Sequence, residues 1–334
     1  MDNKIDFVIT WVDGSDIEWQ KEKNKYSNVK QVDVKKNDTR NVRYRDMDCL
    51  KYWFRAVEEY APWVNKIYFV TCGQKPEWLN TDNPKLVCVN HKDYMDEKYL
   101  PTFNSNAIEA ALHKIPGLAD KFVYFNDDMF IINKVKESDF FKKGLPCDSM
   151  SLEPIIIMTN DHFHKKICNN LEIIDKHFDY KVFIKRQKKK LLSLKQGKYL
   201  FRTVPLLGYK HFVGFRNYHL PVPYLKETFV EVWNEEAEIL EKTMGFRFRN
   251  NQESVNHWVF QYWQFASGKF CQRSTKFGDF LYMSDSRLPK KIFSKRNKVL
   301  CVNDSDKNTD FEKSKNDLVK IFERKFPKKC SFEK

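Results

Sequence analysis

Two apolar runs that stop abruptly at carboxylates constrain this chain more than anything else in it. Ile5-Asp6-Phe7-Val8-Ile9-Thr10-Trp11-Val12 gives way to Asp13-Gly14-Ser15-Asp16, and Phe122-Val123-Tyr124-Phe125 gives way to Asn126-Asp127-Asp128. A strand that is apolar along nearly its whole length is covered on both faces. In a parallel sheet such strands carry whatever follows them to the open carboxyl edge, where ligands bind. The fold and the place of the chemistry therefore come from the same pattern.

The rest of the first half follows suit. Residues 46–60 read as a helix begun at Asp46, with Leu50, Trp53, Phe54 and Val57 on one face. Residues 66–71, 85–90 and 121–126 read as strands, and 104–113 as a helix ended by Pro116-Gly117. Strands alternating with helices predict an α/β fold with a doubly wound, mostly parallel sheet. From 138 to 218 the pattern turns helical around the run Lys185-Arg186-Gln187-Lys188-Lys189-Lys190, which reads either as a solvated face or as a contact for a phosphate-bearing acceptor or lipid. Residues 223–243 and 253–265 look like two further helices, and 318–326 like a short amphipathic one, either docked or anchored to anionic membrane.

At 334 residues, 42% hydrophobic and 15% aromatic, the chain can bury a large core. Its 59 Lys and Arg against 45 Asp and Glu leave a net charge of +14, which favours phosphate-rich partners. Nucleic acid is excluded as the main partner because no nucleic-acid motif is present and carboxylates stand where a binding groove needs cations. Eight cysteines without a C-x-x-C pair argue against a zinc knuckle and for free thiols in a reducing cytoplasm. No signal peptide and no apolar stretch near the roughly 20 residues of a membrane span are present, so a cytoplasmic protein is expected, with at most peripheral membrane contact.

Several groups carry chemistry. Asp13-Gly14-Ser15 is either an ordinary turn or a backbone nest for phosphate. Asn126-Asp127-Asp128 places two carboxylates side by side, which asks for Mg²⁺ or Mn²⁺ or for a proton between them, unless the pair merely caps a helix. Asn104 and Asn106 sit at a helix start, suited to capping or to a phosphate or sugar hydroxyl. His219 stands ahead of two prolines in a stiffened loop, and Arg247 and Arg249 flank Phe248 on one side of an extended tripeptide, a pattern suited to gripping phosphate.

These segments, with Arg45-Asp46, Tyr60-Ala61-Pro62-Trp63-Val64, His219-Leu220-Pro221-Val222-Pro223 and Arg247-Phe248-Arg249, resemble in order the four conserved regions of the Stealth family, between about residues 5 and 268. The resemblance implies a GT-A-like sheet and transfer of a hexose 1-phosphate from a UDP-sugar to a saccharide hydroxyl, with release of UMP, in capsular or surface polysaccharide synthesis. It implies Asp127 and Asp128 as metal ligands or acceptor base, His219 as proton carrier or phosphate stabiliser, and Arg247 as a catalytic phosphate ligand. It places Trp11, Asp13, Gly14, Ser15, Arg45, Asn104, Asn106, Asn126 and Arg249 around the donor. A lipid-linked acceptor is one form the saccharide can take. The expected division is a nucleotide-sugar core over 1–137, a basic helical insertion over 138–218, the rest of the catalytic domain over 219–285, and a basic, helical tail over 286–334. The alternative is a glycosyltransferase of the same fold that releases UDP.

Overall fold

Strand β1 (Ile5–Thr10) is paired along both edges by two later strands, and helices packed on either side of the sheet cover both of its faces. The computed structural model describes residues 4–27, 37–38, 40–157, 162–305 and 308–334. In chain order β2 (Ile67–Thr71), β3 (Leu86–Asn90) and β4 (Lys121–Phe125) follow, then a short β5 (Met129–Ile131) leaves this sheet and β6 (Val222–Leu225) returns to it. The order across the sheet is β3-β2-β1-β4-β6, with every pairing parallel except β4 with β6. The α/β fold with a mostly parallel, doubly wound sheet is thus the one the sequence predicts.

One face of the sheet carries Phe7 and Ile9, packed with Leu50, Trp53, Phe54 and Val57 of a helix over Leu50–Tyr60. The other carries Val8, Phe122 and Tyr124, covered by helices over Ser105–Ala110, Lys226–Gly245 and Trp258–Ser267. In chain order, with Ile17–Ser27 as α1, these are α2, α3, α6 and α7, and α4 (His162–His177) and α5 (Tyr180–Leu191) lie between. Phe7, Trp53 and Phe125 have no exposed surface, and burial of each such ring stabilises the fold by about 2–3 kcal/mol. Asp6 is also fully buried, and its carboxylate accepts from Asn65 Nδ2 (2.7 Å), Lys66 N (3.1 Å) and Ala119 N (2.7 Å), joining two loops at the amino edge.

Three expectations need correction. Helix α2 starts at Leu50, not at Asp46, because the Asp46 carboxylate accepts from Trp11 Nε1 and Asp48 N, and Asp48 turns the chain at φ 54°. Pro223 belongs to β6 rather than to a helix; β6 is an edge strand, where a missing N–H costs no ladder bond. The part after residue 277 is not wholly helical. Strands β7 (Gly278–Tyr282) and β8 (Val299–Asn303) join β5 in a second sheet, β7-β8-β5, with β7 and β8 parallel. Beyond it α8 (Phe311–Lys325) is docked on the body of the protein through buried Leu318 and Phe322, with Phe130 and Phe322 ring centres 4.5 Å apart. Among the described residues no helix is long and apolar enough to cross a membrane, and all eight cysteines are free thiols.

Candidate active site

Strand β4 ends at Phe125, and the next three residues form a tight turn into β5, closed by Met129 N donating to the Asn126 carbonyl (3.1 Å). Val302 N of β8 donates to the Asp128 carbonyl at 2.8 Å, so the acidic turn is stapled to the second sheet. Side chains two apart on a strand share a face, and β8 presents Cys301 and Asn303 to the same carboxylate. Asp128 Oδ2 accepts from Asn303 Nδ2 (2.9 Å) and Cys301 Sγ (3.3 Å) and lies 3.2 Å from His219 Nε2. Asp128 Oδ1 is buried and has no partner among the described residues, as is true of Asn126 Oδ1. One oxygen of the carboxylate is saturated and the other is open.

The electrostatics are those of a crowded acid centre. Burial pushes Asp127 up to about 8, helped by the charges of Asp128 and Asp46. Asp46 rises to about 6, also chiefly through burial. For His219 burial opposes the charged form, but the Asp128 carboxylate more than offsets it and the net shift is upward. His219 also holds a left-handed backbone, φ 47°, unusual outside glycine and frequent where side chains are aimed for function. Glu109 of α3 is buried, accepts from Tyr124 OH (3.1 Å), and is raised by desolvation against the pull of the Arg249 and Lys166 charges. Lys166 of α4 is lowered by burial and by Arg249. The charges of Arg249, Lys166 and Arg43 act on one another, those of Arg249 and Lys166 reach Glu109, and that of Arg249 reaches Asp127.

The structure sets Asn126, Asp127 and Asp128 in one turn beside His219, with the charge of Arg249 acting on Asp127 and His219. Trp11 reaches Asp127 at one remove by holding Asp46, and Asp13 at two, through its charge on Asp46. Asp13 Oδ1 accepts from Ser15 N (2.8 Å) and Ser15 Oγ (2.6 Å), and a Cβ on Gly14 would stand 1.9 Å from the Tyr44 carbonyl oxygen. The close approach that requires glycine is thus to protein backbone. Asn104 is a correction: it has no exposed surface, its side chain caps α3 through Asn106 N, and its Nδ2 donates to the Thr243 and Phe246 carbonyls. Asn106 is buried 3.5 Å from Lys166 Nζ. Arg45 is a second correction, bonded to Asp304 (3.2 Å) and lying over the Phe311 ring. Arg247 is a third. Its Nη1 donates to the Pro101 carbonyl (2.5 Å) and its guanidinium covers Tyr26, because bends at 247 and 248 break the alternation that would align it with Arg249.

Glu109, Lys166, Cys301 and Asn303 escaped the sequence reading. The i, i+3 spacing of Asn106 and Glu109 and the alternation of 301 with 303 were signals, but only once the inward face of each element is known. Two donor sets are available to a cation. Asp128, His219 and Cys301 offer ligand atoms all within 4.8 Å of one another. Asn126 Oδ1 and Asp128 Oδ1 are two unpartnered buried oxygens in one turn, with Asp127 between them in sequence. Hard divalent ions favour the oxygen set, softer ones the set with sulfur.

Residues 3–29 match the family model for Stealth protein CR1, conserved region 1, and residues 43–147 the one for Stealth protein CR2, conserved region 2. A capsular polysaccharide phosphotransferase WcwK from Streptococcus pneumoniae is 42% identical over 99% of this chain and 98% of its own length. A receptor polysaccharide phosphotransferase WefC from Streptococcus oralis is 41% identical over 99% of both chains. Among solved structures, the galactosyltransferase LgtC in complex with donor and acceptor sugar analogs aligns over 96% of this chain and 95% of its own, at a TM-score of 0.39 and 10% identity.

Proposed function

This chain belongs to the Stealth family and is accordingly a polysaccharide phosphotransferase, and we propose that the group it moves is a sugar 1-phosphate, taken from a UDP-sugar and attached to a saccharide hydroxyl in capsular or surface polysaccharide synthesis. The acceptor oxygen forms a bond to the β-phosphorus, the bond from that phosphorus to the bridging oxygen breaks, and UMP leaves. Such a reaction asks for positioning and charge neutralisation above all.

The observation that carries this reading is Asp128, with one oxygen held by three neighbours and the other buried and open at the end of β4. In this assignment Asp127 or Asp128 takes the proton of the acceptor hydroxyl. His219, favoured in its charged form by Asp128, steadies phosphate oxygens or returns a proton to the leaving group. Arg249, with Lys166 and Arg43 behind it, supplies the cationic wall for the phosphates. The oxygen set of Asn126, Asp127 and Asp128 suits Mg²⁺ or Mn²⁺, and such an ion would neutralise charge on the transferring phosphoryl group. The acceptor is taken to be presented at the inner face of the membrane, lipid-linked or free.

By-product analysis tests the reading. Purified protein given UDP-sugars, Mg²⁺ and acceptor saccharides is expected to release UMP and to build a phosphodiester signal in phosphorus NMR. UDP as the sole nucleotide product would make it a glycosyltransferase instead.

A further inference from the structure

Residues 180–210 contain ten Lys or Arg and no Asp or Glu, so 10 − 0 = +10 of charge lies in this one segment of a chain whose total is +14. The same segment carries a concentration of exposed apolar side chains. Leu194 is 86% exposed and Phe201 83%, with Val182, Leu192, Val204 and Tyr209 also open to solvent. Large apolar groups scattered singly over a surface are ordinary, but several of them within one strongly basic segment point to an interaction site.

Their exposure is built into the fold. Gln196 is fully buried, its Nε2 donates to the Leu191 carbonyl (2.6 Å), and its Oε1 accepts from Thr203 Oγ1 (2.7 Å). Tyr180 OH donates to the Leu206 carbonyl at 2.9 Å. These buried bonds lock α5, the turn after it and the short helix Leu200–Leu206 into one unit. The inward apolar positions of that unit, Tyr180, Phe183, Leu191 and Leu206, are already in the core, which leaves Leu194 and Phe201 fixed on the outside.

We propose that this face docks on an anionic lipid bilayer, with Leu194 and Phe201 entering the headgroup boundary and the Lys and Arg around them meeting lipid phosphates. Charge complementarity selects an anionic surface, and the apolar tips select lipid over a nucleic acid or a charged saccharide, which would leave both side chains in water. The unit also adjoins the active site. Leu152 N donates to Thr203 Oγ1 (3.1 Å), and the neighbouring Ser151 Oγ lies 3.0 Å from Tyr218 OH, next to His219. Docking here would bring the candidate site to a membrane-borne acceptor, yet the proposal holds or fails apart from the transfer chemistry.

Co-sedimentation of the full chain with phosphatidylglycerol vesicles and with phosphatidylcholine vesicles tests it. Binding to the anionic vesicles alone is expected, falling on the order of tenfold or more in a Leu194→Glu/Phe201→Glu variant and again in a Lys185→Ser/Lys188→Ser variant. All four positions are exposed, and an unchanged near-ultraviolet circular dichroism spectrum and an unchanged thermal midpoint identify a folded protein. In a Leu194→Trp variant, brominated phosphatidylglycerol is expected to quench emission beyond that of the eight native tryptophans. No binding to anionic vesicles, equal binding by the double glutamate variant, or salt-labile binding to DNA without vesicle binding would each overturn the proposal.

Discussion

Arg55 and Asp128 are both charged groups withdrawn from water, and the molecule treats them in opposite ways. Arg55 is closed: Nε and Nη2 form a fork on the two oxygens of Glu333 (2.6 and 2.8 Å), and Nη1 donates to the Phe326 carbonyl (2.6 Å). Asp128 is left half open, beside a second carboxylate and with one oxygen unpartnered among the described residues. A buried charge that serves the fold is satisfied on every side, because an unmet one costs several kcal/mol. One that serves chemistry keeps a place for the reactant, and its like-charged neighbour makes that place attractive to a cation.

If the contrast is real, Asp128→Asn should slow turnover on the order of a thousandfold. Its thermal midpoint should change little, since the amide oxygen can still accept from Asn303 and Cys301; UMP release and a melting curve together check this. Full activity with a large loss of stability would make Asp128 a second Arg55. Arg55→Leu should do the reverse, costing about 3 kcal/mol in denaturant melts by stranding Glu333, while the folded fraction keeps its turnover number. Arg249→Lys is expected to slow turnover on the order of a hundredfold, because a fork is exchanged for a point charge among phosphates. Arg247→Lys should instead lower stability by about 1 kcal/mol with turnover nearly intact, as fits a tether to the Pro101 carbonyl. The last effect is a slope. With Asp127 raised from 3.8 to about 8, the folded protein holds a proton that the unfolded chain has released, so stability falls as pH rises from about 4 to about 8 and is level beyond. Asp127→Asn should flatten that limb in urea melts taken across the range without added metal, and an unchanged profile would mean that Asp127 does not titrate there.

The sheet was legible because each of its first four strands is a local apolar run with its own stop signal, and those stops placed Asp127 and Asp128 at the edge without any knowledge of the packing. Arg249 was legible as a cation but not distinguishable from Arg247, since only the bends at 247 and 248 separate them. Asn104 illustrates the opposite failure: a helix-start amide suits a ligand and a cap equally, and the choice fell to the Thr243 and Phe246 carbonyls, far along the chain. Cys301 and Asn303 are more than 170 positions from Asp128, and no local periodicity reports a meeting over that distance. The edge position of β6 hid in the same way, because Pro223 before a helical pattern looks like a helix start until its pairing with Val123 is seen.

The staple between β8 and the acidic turn bears on how the protein is made. The carboxylates leave the ribosome first, and the thiol, the amide and the backbone N–H that orient them follow only at residues 301–303. A growing chain therefore carries its acids through the 173 positions that separate Asp128 from Cys301 without being able to aim them, and competence arrives all at once, when the second sheet closes.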